Sequence, residues 1–242
     1  MEEGSRQKPG PVIEIMVWSS KEIKKKGLTC LNKNFIQAYL AVLVIRLIAD
    51  IPALFFNQGS SIRSLSLSGS TLLLAILLSG TIFIYLPLNA GKNRFYMDLN
   101  DGSAEFDTLW HFFTRGKKTY LSIVKGMTVR YLTVLAGGLI LIVPGIMQYY
   151  RTFFTPWILA QHPDMTAGAA MQKSREMTAG QKMNLFIMQM TFLGWIALCF
   201  FLSYRFSLVL PTGIGRAVST AIYALPAAYY HAAVAALYTK LR

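Results

Sequence analysis

Apolar residues in this chain come in long unbroken runs, separated by short polar connectors rich in lysine and arginine. A helix rises 1.5 Å per residue, so about 20 mostly apolar residues cross a hydrocarbon layer roughly 30 Å thick. Runs of that kind cover 34–56, 69–88, 183–202 and 215–238. The stretch from Tyr120 to Gln161 is interrupted by Val143-Pro144-Gly145. Proline removes a backbone donor and glycine admits a turn. This stretch is therefore either one long kinked helix or a tight hairpin of 119–143 and 146–160.

The connector charges favour the hairpin. Seven basic residues precede Asn34: Arg6, Lys8, Lys21, Lys24, Lys25, Lys26 and Lys33. Seven more lie between Asn89 and Arg130: Lys92, Arg94, Arg115, Lys117, Lys118, Lys125 and Arg130. Lys173, Arg175 and Lys182 come before 183–202, whereas Arg63, Arg205 and Arg216 are the basic residues of the other two connectors. Basic connectors stay in the cytoplasm. The expected fold is thus an all-α, polytopic transmembrane bundle of six spans with both termini cytoplasmic. Residues 1–33 form a cytoplasmic segment and 34–242 a single membrane domain. The fourth span is short, so it thins the bilayer locally or crosses it only in part.

Composition supports this class. Hydrophobic residues make up 54% and charged residues 14%, against about 25% charged in a soluble domain. Mean hydropathy is +0.42. That argues against a soluble globular enzyme, a disordered chain and a disulfide scaffold. The net charge of +13 points to anionic lipid headgroups; zinc-finger spacing and RNA-binding aromatic signatures are missing, so nucleic acid is not expected. Cys30 and Cys199 are not expected to pair, and the Met1-Glu2-Glu3 start with a late lysine run is not a secretory signal.

Three points of entry into apolar runs look alike. Ser19-Ser20-Lys21-Glu22 fits a capping box, opening a helix with Ile23, Gly27, Cys30 and Leu31 on one side. Phe106, Leu109, Trp110 and Phe113 have the spacing of a helical stripe. Thr166 fits an N-cap before a stripe of Ala167, Ala170, Met171, Ser174 and Met177. Each would be a surface helix, then a basic elbow, then a hairpin, which defines a possible threefold repeat. Convergence on ordinary capping rules gives the same pattern.

The third unit also carries a resemblance. Ile158-Leu159-Ala160-Gln161-His162-Pro163-Asp164 is followed by Ala170, Ser174, Met177, Gly180 and Lys182, then by Leu185-Phe186 and Phe192-Leu193-Gly194-Trp195. Upstream stand Ile142-Val143-Pro144-Gly145-Ile146 and Tyr149-Tyr150. This pattern resembles the uncharacterised bacterial membrane family known as domain of unknown function 975, best over Phe106 to Trp195. The resemblance implies a multipass protein of the bacterial inner membrane and brings no activity. The family often has an acidic residue where Gln161 stands, a histidine where Gln181 stands and a glutamate where Ala169 stands.

Candidate chemistry is sparse. Arg46 and Asp50 share a helix face in the first span. They are either a substrate or ion contact or a neutralising pair near the outer end. Arg130 and Arg151 either bind a lipid phosphate or anionic substrate, or snorkel to headgroups. His231 is either a proton relay or a hydrogen-bonded packing residue. His111 and His162 are isolated. Asp164 fits a helix N-terminus. Ala224, Ala228, Ala232 and Ala236 mark a close-packing face, within the chain or between subunits. Tyr120, Trp157 and Tyr238 suit interfacial belts. HExxH, Cys/His clusters, GxSxG and glycine-rich phosphate loops do not occur. No metal, cofactor or catalytic residue is therefore expected. The reading is a non-enzymatic membrane component, transport-related or complex-forming, that contacts anionic lipid or a hydrophobic ligand, alone or as a homo- or hetero-oligomer. A stand-alone small transporter is the alternative, and a lipid-modifying enzyme the remote one.

Overall fold

The computed structural model describes residues 18–56 and 67–242, and every regular element among them is helical. Arg6, Lys8 and Arg63 lie outside the described residues. Helix α1 (Ser20–Lys33) meets α2 (Phe35–Phe56) at a 98° bend. Helix α3 (Leu67–Gly80) runs through a π turn (Thr81–Tyr85) into α4 (Leu86–Asp101). A 3₁₀ turn (Phe106–Trp110) and α5 (His111–Thr114) lead to α6 (Lys117–Ile140) and α7 (Ile142–Arg151). Then come α8 (Thr155–Gln161), α9 (Ala167–Thr178), α10 (Lys182–Met190), α11 (Leu193–Val209) and α12 (Thr212–Leu241).

Two stretches are long and apolar enough to cross a membrane, Gly69–Asp101 and Lys182–Val209, and a third counts if the bent α1–α2 pair is one span. That is fewer than the six expected. The shortfall has local causes. Helix α6 carries Lys117, Lys118, Lys125 and Arg130, and α7 has only 10 residues. The expected span 146–160 does not exist as one helix. The chain breaks at Thr152, and residues 152–160 are all buried within the protein. Helix α12 is 30 residues long, but tyrosine, histidine and proline dilute its hydropathy and its C-terminal half lies in the core.

That core is a closed body at one end of the helices. It joins α4, α8, the 3₁₀ turn, α1 and the end of α12. Ala224, Ala228, Ala232 and Ala236 are all buried on α12. Gly27 of α1 packs against them so tightly that a Cβ there would stand 2.6 Å from the Ala233 Cα. The small-residue face is thus used within the chain. At the opposite end, apolar side chains of α3, of the α6–α7 turn and of α11 are bare, with Leu72, Leu139 and Val209 at 63%, 78% and 82% exposure.

Several local expectations change. The Ser19 side chain makes no cap bond, and Glu22 instead accepts from Lys240 Nζ at 3.0 and 3.1 Å. The second amphipathic stretch begins as a 3₁₀ helix, whose three residues per turn bring Phe112 rather than Phe113 into line with Leu109. Thr166 does cap α9, accepting from Ala169 N at 3.3 Å. Trp157 and Tyr238 are core residues, not belt residues.

The π turn has a chemical cause as well. Pro87 offers no N–H to the turn above it. Phe83 O accepts the Tyr120 hydroxyl at 2.6 Å.

Candidate functional site

The helix that begins as α3 continues past Leu88, so Lys92 is not a connector residue but a buried one, 5% exposed. Its Nζ lies 3.0 Å from Nε2 of His231 on α12. Nδ1 of the same ring is buried and has no hydrogen-bond partner. The ring packs on Tyr96 and Tyr230, with centroids at 5.6 and 5.5 Å.

A second group sits beside it. Gln189 of α10 accepts the Tyr150 hydroxyl at 2.6 Å and offers its amide nitrogen to the hydroxyls of Tyr149 at 3.2 Å and Tyr230 at 2.9 Å. One uncharged side chain thereby ties α7, α10 and α12 together. Arg130 lies at the edge of this group. It donates from Nε to Thr152 O at 3.2 Å, and its guanidinium stands over the rings of Tyr131 at 4.9 Å and Tyr149 at 5.7 Å. Aromatic faces stabilise a cation by their quadrupole. Arg130 is therefore held inside the protein rather than snorkelling. Arg151 differs. Its side chain is exposed, and only its carbonyl is used, accepting from Ser174 Oγ at 3.1 Å.

Arg46 and Asp50 are neighbours on α2 but form no ion pair with each other. Asp50 accepts the Thr220 hydroxyl at 2.5 Å, and Arg46 stands 5.7 Å from the Tyr223 ring. Arg46 lines two cavities. One, of about 420 Å³, is also bordered by Gln189, Tyr223, Tyr230 and His231. The other, of about 660 Å³, is bordered by Asp50, Arg216, Thr220 and Tyr223. Pro226 lies inside α12 beside the first cavity. A proline cannot donate to the carbonyl four residues earlier, and here the Cys199 thiol lies 3.7 Å from that oxygen, Ile222 O.

The electrostatic result is one-sided. Among the described residues, no carboxylate forms an ion pair with Arg46, Lys92, Arg130 or His231. Buried cations are ordinarily paired. Three histidine, cysteine or carboxylate groups close enough to hold a metal do not occur among the described residues.

Of the sequence candidates, the fold thus brings Arg46 and His231 to one cavity, places Asp50 at the adjoining one and Arg130 against Tyr149, which Gln189 links to the first cavity, and leaves Arg151 outside. Sequence reasoning missed Lys92 and Gln189. Lys92 was hidden by its place just after an apolar run, and an uncharged glutamine gives no signal.

The motif residues of the resemblance are mostly structural. Ser174 Oγ accepts from Phe154 N at 3.0 Å as well as donating to Arg151 O. Pro163 O accepts the Ser122 hydroxyl at 2.6 Å. Gly180 adopts φ +72°, which an L side chain resists. Gly145 packs its backbone on Gly138, while Pro144 and Asp164 are exposed. Lys182 opens α10, and Trp195 lines an apolar groove of about 510 Å³ with Lys24 at its edge. Gln161 accepts the Tyr238 hydroxyl at 2.6 Å and Gln181 accepts from Asn184 at 2.9 Å.

No curated protein matches the chain, and no solved structure does. A family model matches well beyond the Phe106–Trp195 stretch, over residues 29–241, and its description is "Protein of unknown function (DUF975)". The chain belongs to that family.

Proposed function

We propose that this chain is a multipass membrane component, not an enzyme, that holds an amphipathic anion in the Arg46–His231 cavity. The ligand class is a phosphate or carboxylate headgroup carrying an apolar tail. One observation carries the reading. The 420 Å³ cavity is bordered by Arg46 and by His231, the ring that touches Lys92, without an acidic partner, and its remaining walls include Phe192, Leu193 and Ile196. An anion would supply the missing counter-charge, and its tail would meet the apolar wall. The basic side of the protein would face the cytoplasm of a bacterial cell, with both termini there.

The test uses the purified full chain in detergent with two soluble probes, dioctanoyl phosphatidylglycerol and dioctanoyl phosphatidylcholine, and inorganic phosphate as a third. Tighter binding of the anionic lipid, weakened about tenfold or more in Arg46→Gln, is expected, because a charge-assisted hydrogen bond contributes about 1.5–3 kcal/mol. Equal binding of the two lipids would overturn the reading. Phosphate binding as tightly as the lipid would move the ligand to a free anion.

A second reading rests on a different observation. Arg46, Tyr223 and Ile196 border both cavities. A solute could therefore pass from the Asp50 side to the His231 side with Arg46 between them, as in a small transporter. Flux of an anionic amphiphile through proteoliposomes, lost in Asp50→Asn, would favour this; flux unchanged in that variant would count against it.

A further inference from the structure

We propose that the α6–α7 hairpin is a re-entrant wedge, entering the acyl chains of the leaflet on the basic side and turning back near mid-bilayer. This rests on the membrane reading above but not on its ligand. The bare apolar surface of the hairpin is covered by lipid of a single leaflet.

Reach is the first argument. Residues 131–150 contain no charge and are bracketed by Arg130 and Arg151. Each arm between those arginines and the turn at Leu141 is about 15 Å long, half of the roughly 30 Å hydrocarbon layer. The base of the hairpin has a fixed height. Phe154 packs against Tyr238 with ring centroids 5.7 Å apart, and Arg130 Nε bonds Thr152 O. From Tyr238, α12 extends back to Thr212, about 39 Å away. From Phe154 the chain reaches Leu141 over about 20 Å at helical rise. Tilt of the hairpin only shortens its reach. With α12 along the bilayer normal, the tip falls short of the α11–α12 turn by roughly half the length of α12.

Chemistry at the tip agrees. Leu139, Leu141, Ile142 and Val143 are 64–78% exposed. The turn holds no polar side chain, whereas the α11–α12 turn is flanked by Arg205 and Arg216. Hydrocarbon penalises unmade backbone hydrogen bonds. At this turn Leu141 N donates to Gly137 O at 3.3 Å, Gly145 N donates to Leu141 O at 3.2 Å, and Pro144 has no N–H to satisfy. The arms touch through glycine, since a Cβ on Gly145 would stand 2.6 Å from Gly138 Cα. Tyr131, 39% exposed, stands at the base, the place where aromatic side chains meet headgroups.

The experiment places one nitroxide at a time at Val143, Leu135 and Leu208, in protein whose Cys30 and Cys199 have been replaced, reconstituted in phosphatidylglycerol–phosphatidylcholine liposomes. Oxygen and a water-soluble nickel complex report depth. The expected result is an oxygen-to-nickel accessibility ratio several-fold higher at Val143 than at Leu208, with Leu135 shallower than Val143. A Val143 label as open to nickel as Leu208, with Leu135 the deepest of the three, would overturn the wedge and make the hairpin a full crossing. Nickel access at all three sites would instead overturn the membrane reading beneath it. The protein labelled only at Leu135 keeps the native turn free of any probe; a mid-bilayer Leu135 there would also reject the wedge.

Discussion

Lys92 and His231 meet nitrogen to nitrogen at 3.0 Å across the packed face between α4 and α12. Neither side chain has another hydrogen bond among the described residues, so each is the other's only hydrogen-bonding partner there. Removing the acceptor leaves a buried ammonium group without one, which costs about 1–3 kcal/mol or more. His231→Phe should therefore lower the thermal midpoint in detergent more than Lys92→Met does. Replacing both should cost less than the sum of the two, the signature of a coupled pair. Additive losses would show that the contact carries no energy of its own.

Gln189 makes a second such prediction. Its amide serves the hydroxyls of Tyr149, Tyr150 and Tyr230 at once. Gln189→Leu keeps the volume and strands all three hydroxyls. The expected loss is about 1–3 kcal/mol per hydroxyl that water cannot reach, read as a lower midpoint in a detergent melt. Converting Tyr150 to Phe in the same background should recover part of it. A Gln189→Leu protein as stable as the parent would mean the network is wet and energetically idle.

These two groups also mark what the sequence does and does not disclose. Helical class, the apolar runs and the Thr166 cap follow from composition and local chemistry, and they hold. Span count does not follow, because hydropathy cannot distinguish a helix facing lipid from one facing protein. Residues 152–160 are as apolar as a span, yet they fill the core. Arg46 and His231 stand out in sequence because a charge in an apolar run is costly. Lys92 stands next to its run and passes for a connector residue until α4 is seen to continue. Gln189 carries no such mark, since a lone glutamine in a helix is ordinary. Tertiary pairing alone makes it central.

Gly91 gives a sharp steric prediction. A Cβ there would run into the Leu109 carbonyl oxygen and stand 2.9 Å from its carbon. Those are backbone atoms of the 3₁₀ turn and cannot rotate away. Gly91→Ala should destabilise by about 1–3 kcal/mol or more through overpacking, or fail to yield folded protein. Gly168 on α9 has nothing within 4 Å of the equivalent position, so Gly168→Ala should be neutral or stabilising by up to about 1 kcal/mol. The comparison needs only melting midpoints of the two variants. A Gly91→Ala protein no less stable than Gly168→Ala would show that α4 and the 3₁₀ turn are further apart than described.

His111 supplies a pH dependence outside the long helices. Partial burial lowers its pKa from 6.5, the Arg115 and Arg94 charges lower it further, and Asp98 opposes them. The unfolded chain therefore binds more protons than the folded one between the depressed folded value and 6.5. Stability must rise with pH across that window and fall as the solution is acidified below 6.5. Replacing Asp98 with Asn removes the opposing charge and should depress the His111 titration further. Proton NMR of the imidazole reads both titrations directly, and only two other histidines need to be distinguished. His111→Gln should flatten the stability profile just below pH 6.5 without changing it near pH 8. A midpoint for His111 at or above 6.5 would mean that burial and the two arginines together do not outweigh Asp98.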